Sequence, residues 1–160
     1  MLLPFLAAAM AAAPTGPHPC RAQMTALRLD DRDGDFNGMS HAGTFVMLTN
    51  RGRRSCTLPA LPPITLRDAR GAVLPIERQV PLGMRPGPMM VPMTLRPRAT
   101  AATGLRWVAG PVYDRSRCYD VAGLVVEIDG ATRRQRLIAR ICGPEGGRLV
   151  FEQPPLRSKG

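Results

Sequence analysis

Four cysteines constrain what this chain can fold into more than any other residues in it. Cys20, Cys56, Cys118 and Cys142 fall two in each half, behind a short apolar N-terminus, Met1 to Ala13, that ends in small residues. An even cysteine number behind an export-like leader points to an oxidising compartment and a disulfide framework, and away from a cytosolic enzyme. Leu2 to Leu6 with Ala7, Ala8 and Ala9 form the apolar core of a secretory signal, although no Lys or Arg precedes it. Ala9-Met10-Ala11 supplies a small-x-small cleavage site. The expected division is a signal peptide over 1–11, a disordered linker over 12–19, one β-sandwich domain over 20–156 and a tail over 157–160. The apolar run is too short for a transmembrane segment, which needs about 20 residues. The expected location is secreted or periplasmic.

Aromatic residues make up only 4% of the chain, so its core must be built from Leu, Val, Ile, Ala and Met. The formal net charge of +10 is carried almost wholly by arginine, Lys159 being the single lysine. Total charge alone does not define a binding surface; clustering does. Only Arg51-Gly52-Arg53-Arg54 and Arg133-Arg134-Gln135-Arg136 cluster, and neither is interleaved with the aromatics on which bases stack. No nucleic acid partner is expected. Arg51, Arg53 and Arg54 are the first candidates for an anionic partner.

Along the chain, apolar residues alternate more often than they recur at helical spacing. Leu27 and Leu29 share a face. Thr44 to Asn50 is apolar on both faces, as in a central strand covered on both sides. Ile64 and Leu66 point inward, and Asp68-Ala69-Arg70-Gly71 turns the chain into Val73 to Ile76. Ala101 to Val108, Leu124 to Ile128, Arg134 to Ile141 and Leu149 to Phe151 complete about eight short strands, with a turn at Asp129-Gly130. This is an all-β pattern, that of a β-sandwich. Pro81 to Pro97 carries five prolines and reads as a long surface connection, since each proline removes a ladder donor.

Four cysteines allow three pairings, and their order alone does not choose among them. The strand layout favours Cys20–Cys56, tying the start of the first strand to the end of the Thr44 strand, and Cys118–Cys142, closing the last long hairpin. Each closed loop stabilises the fold by about 3–4 kcal/mol on the chain-entropy account. No Cys-x-x-Cys spacing suggests zinc.

The run from His41 to Leu58, with Leu48-Thr49-Asn50 and Cys56-Thr57-Leu58, is followed by Pro62-Pro63, a strand and Asp68-Ala69-Arg70-Gly71. Leu95-Arg96-Pro97, Leu105-Arg106-Trp107 and a final cysteine pair come later. Together these resemble a secreted bacterial family known as domain of unknown function 4232, over roughly Cys20 to Leu156. The chain departs from the pattern at Leu58-Pro59-Ala60-Leu61, where a Gly-aromatic-Pro is usual. The resemblance implies an immunoglobulin-like antiparallel β-sandwich, with the Trp107 strand and both cysteine pairs as structural features. It also implies an exported or envelope-attached domain without assigned activity, and it brings no catalytic residues.

The chain is not expected to be an enzyme. His18 and His41 are its two histidines, and no Gly-x-Ser-x-Gly, phosphate loop or His-Glu-x-x-His occurs. Glu127 and Asp129 alternate outward, as on a solvated face. No cofactor is expected. Two metal readings stand as alternatives. Asp33, Asp35 and Asn37 repeat the opening of a calcium loop, although the closing position falls on Thr44 rather than glutamate. An acidic turn with Asx hydrogen bonds explains the same residues. Met84, Met89, Met90 and Met93, with Met39 near His41, could hold Cu(I), yet methionine also fills cores that lack aromatics. The expected function is a non-catalytic binding or structural role at the cell envelope, the partner being an envelope component, anionic if the arginines engage it.

Overall fold

A computed structural model describes residues 16–79 and 90–159. The expected leader and part of the proline-rich connection lie outside the described residues. In chain order the strands are β1 (His18–Pro19), β2 (Thr25–Asp30), β3 (His41–Asn50), β4 (Cys56–Leu58), β5 (Ile64–Arg67), β6 (Ile76–Gln79), β7 (Met93–Leu95), β8 (Thr100–Val108), β9 (Ser116–Ile128), β10 (Ala131–Pro144), β11 (Leu149–Glu152) and β12 (Arg157–Lys159). Two short 3₁₀ turns, Ala22–Met24 and Arg32–Gly34, are the remaining helical elements among the described residues. The fold is all-β, as the alternating apolar pattern dictates.

One sheet has the order β2-β3-β8-β11-β6, with β12 also on β8; a second has the order β10-β9-β5; a small third is β1-β4-β7. β10 packs against β2, β8 and β11 of the large sheet. A single cluster joins the layers: Leu27, Val46, Leu48, Leu105, Trp107 and Phe151 from the large sheet meet Leu66, Leu124, Val126 and Ile141 from the second. The result is sandwich-like. Two pairings are parallel, β1 with β4 and β11 with β6, so the sheets are not purely antiparallel as expected.

Among the described residues twelve strands stand where about eight were expected. The additional ones, such as β1, β4, β7 and β12, span two or three residues, too few for alternation to register. Two of them change the expected boundaries. His18 and Pro19, within the expected linker, pair with Cys56 and Thr57 because the Cys20–Cys56 disulfide anchors the segment beside β4. Arg157 to Lys159, expected as tail, pairs with Ala102 to Thr100. Between Pro92 and Pro97 the proline-rich connection itself forms β7, an edge strand of the small sheet.

Both disulfides join the expected partners. The Cys118–Cys142 bridge links directly opposed residues of the β9–β10 hairpin, whose Asp129-Gly130 turn has both residues at positive φ (50° and 72°). At Asp68-Gly71 the expected turn forms, with Gly71 at φ 83° and Asp68 Oδ1 accepting from the Arg70 and Ala72 N–H groups. It does not close a hairpin of two full strands. Val73 makes one isolated bridge to Arg67, and the chain then crosses to the large sheet, where Ile76 opens β6.

β3 is central, between β2 and β8, but only its inner face is fully covered. Its outer face receives Phe36, whose ring lies 4.8 Å from that of Phe45. Gly43 and Gly104 leave the space for that ring, since a Cβ on Gly43 would come within 2.7 Å of Phe36 Cγ.

Candidate functional site

Asn50 shapes the end of the sandwich that carries the arginine cluster. It is the last residue of β3, is 1% exposed, and uses every hydrogen-bonding group of its side chain. Its Nδ2 donates to the carbonyls of Arg54 (2.8 Å) and Leu95 (3.1 Å), while its Oδ1 accepts from the Gly52 N–H (2.8 Å). Its backbone also binds both sides of a second loop: Arg98 N donates to the Asn50 carbonyl, and Asn50 N donates to the Ala99 carbonyl. Beside it, the Thr49 and Thr100 hydroxyls hydrogen-bond at 2.8 Å. A buried amide with this many partners fixes the loops it joins, because each bond lost would strand a polar group away from water.

Two arginine-bearing loops are thereby held side by side. Residues 51–55 expose Arg51, Arg53 and Arg54, and residues 96–99 expose Arg96 and Arg98. The Cys20–Cys56 disulfide brings a third segment alongside, so that His18, Arg21, Arg53 and Arg54 line one depression of about 430 Å³ with Asn50 and Cys56 at its base. No carboxylate lines it; Asp129 lies with Arg21 in a second depression that shares Arg21 and Met24 with the first. The ion pairs among the described residues, Arg115–Glu145 and Arg148–Glu77, involve none of these arginines. Uncompensated like charges on rigid loops favour an anion that spans several of them.

The sequence pointed to Arg51, Arg53 and Arg54, and the structure holds them on one loop. It adds Arg21, Arg96, Arg98 and His18, which sequence reasoning missed. Arg96 and Arg98 flank Pro97 in a pattern too short to count as a cluster, and only the β3–β8 pairing carries them to Asn50. His18 comes in through the disulfide.

The acidic loop is built otherwise than a calcium site. Asp30 Oδ1 accepts from the Arg32 N–H and Asp31 Oδ1 from the Asp33 N–H, the Asx arrangement of a turn. Arg32, Asp33 and Gly34 all adopt positive φ. Thr44, at the closing ligand position, is 3% exposed and inside the sheet. The segment's packing role is to seat Phe36, while the Arg32 guanidinium stacks over Phe45 at 4.5 Å. Among the described residues no three His, Cys, Asp or Glu side chains gather as metal ligands would. Of the methionines, Met84 and Met89 lie outside the described residues. Met93 packs against the core, and Met39 is exposed with its carbonyl hydrogen-bonded to His41 Nδ1.

No helix among the described residues is long and apolar enough to cross a membrane. Residues 20–150 match the family described as Domain of unknown function (DUF4232). No curated protein and no solved structure matches the chain.

Proposed function

The chain belongs to the family of domain of unknown function 4232, and from that premise we propose a non-catalytic, exported domain that binds an anionic component of the cell envelope through its arginine-rich end. The observation that carries this reading is the Asn50-centred junction. It holds Arg51, Arg53, Arg54, Arg96 and Arg98 on two fixed loops beside a depression with no carboxylate in its wall. Guanidinium groups bind carboxylate and phosphate oxygens in pairs, so a polymer bearing such groups at regular spacing engages several at once. Two disulfides fit a life outside the reducing cytoplasm, and one of them, Cys20–Cys56, fastens β1 to β4 at this end.

The test is retention of the oxidised protein on an anionic resin across a salt gradient, against Arg51→Gln/Arg53→Gln/Arg54→Gln. Elution well above physiological salt, moved clearly lower by the triple substitution, is the expected result. Elution of both proteins at the same salt overturns the reading and leaves the arginines as general surface charge.

A further inference from the structure

A second cleft lies between the two layers, along the side where each ends in an edge strand. β2 terminates the large sheet and β10 the second, and a cleft of about 480 Å³ opens between them. A break in the β9–β10 ladder lies in its wall. Register is regular to Arg136, resumes at Ala139, and leaves Leu137 and Ile138 between the two. Such a bulge bends its strand and re-aims side chains. Leu137 turns into the core and Ile138 outward, at 9% and 68% exposure.

The lining has three chemical parts. The floor is apolar, with Leu29, Ala42 and Leu137. Trp107 adjoins it, 5% exposed, and its indole N–H has no protein acceptor among the described residues. One rim, from the end of β2, carries Asp30 and Asp31; the opposite rim, from β10, carries Arg136 and Arg140. These opposite charges face one cleft yet form no ion pair across it. Both strands that flank it are terminal in their sheets, as required for an extended chain to lie alongside.

We infer that this cleft binds a short zwitterionic peptide. Its ammonium end sits toward Asp30 and Asp31, its carboxylate toward Arg136 and Arg140, its apolar side chains on the floor. A peptide oxygen accepts the indole N–H. Charges of both signs that stay apart complement a ligand carrying both signs, and a buried donor without an acceptor complements one bearing carbonyls. The assignment is independent of the arginine-rich end.

Trp107 is the chain's single tryptophan, so its fluorescence reports on this cleft alone. The full-length oxidised protein is titrated with Leu-Leu, N-acetyl-Leu-Leu, Leu-Leu-amide and octanoate, with calorimetry in parallel. Saturable binding of Leu-Leu is expected, weakened about tenfold by blocking either end. Arg136→Gln/Arg140→Gln removes the preference for acid over amide while keeping that for free over acetylated amine. Asp30→Asn/Asp31→Asn, which retains the turn-forming acceptors, does the reverse. Since all four positions are at the surface of the cleft, the test does not depend on a core substitution. No saturable binding in either readout overturns the proposal, as do end-blocked peptides that bind like the parent. Octanoate binding as tightly as Leu-Leu overturns it in favour of a site for apolar carboxylates.

Discussion

Replacing Asn50 by alanine removes the one side chain that ties together the arginine loops, and the loss can be estimated bond by bond. The Leu95 carbonyl is in buried surroundings, and leaving it without its donor costs about 1–3 kcal/mol. The Arg54 carbonyl and Gly52 N–H are partly buried and can turn to water, so each lost bond costs about 0.5–1.5 kcal/mol. The whole comes to about 4 kcal/mol, a large part of the roughly 5–15 kcal/mol that holds a domain folded. Urea unfolding followed by Trp107 fluorescence reads it directly, because Trp107 is buried in the native core. With a slope of about 2 kcal/mol per molar, the midpoint falls by about 2 M at unchanged slope. Asn50→Asp keeps the acceptor for Gly52 but sets a carboxylate oxygen against two carbonyls, and is expected to cost at least as much. A midpoint shift below about 0.5 M for the alanine variant, or an aspartate variant as stable as the parent, would refute the reasoning. In either case the junction would be held by the disulfide and the ladder rather than by the amide.

Two further outcomes test the packing on the outer face of β3. Gly43→Ala drives a methyl group into the Leu105 carbonyl and the Phe36 ring, and is expected to destabilise by about 3 kcal/mol, the upper end for overpacking. Gly104→Ala meets only ring edges at 3.2–3.3 Å and should cost clearly less, so the order of their unfolding midpoints is the measurement. Millimolar calcium is expected to leave the midpoint of the parent protein unchanged, since Asp30 and Asp31 hold backbone N–H groups and Thr44 faces the core. A rise in midpoint that Asp33→Ala abolishes would restore the calcium reading.

Much of this protein follows from local chemistry that a sequence exposes. Alternation of apolar residues fixes which face of β3 and β8 turns inward, because side chains on a strand alternate between its two faces. Asp129-Gly130 and Asp68 to Gly71 specify turns through residues that tolerate positive φ or accept from their own backbone. The cysteines announce a disulfide framework, and the strand layout already favours the pairs that form. Leu48-Thr49-Asn50 stands out as a motif, and Arg51, Arg53 and Arg54 as a cluster, without any indication of why Asn follows the strand.

The tertiary structure alone decided what brings distant residues together. Asn50 matters because Leu95 and Ala99 arrive beside it through the pairing of β3 with β8, and that register depends on every contact of the sheet. Arg96, Arg98, Arg21 and His18 join Arg51, Arg53 and Arg54 for the same reason, and no local pattern marks them. Phe36, in a loop that reads as acidic, is a packing residue only because two glycines on neighbouring strands leave it a seat. The cleft beside Trp107 has in its wall a bulge in β10, a mismatch between two strands that neither strand encodes by itself. Periodicity and turn chemistry act over a few residues and are legible in order along the chain. Sites are made where non-neighbouring segments meet, and their composition is set by the packing that closes the fold.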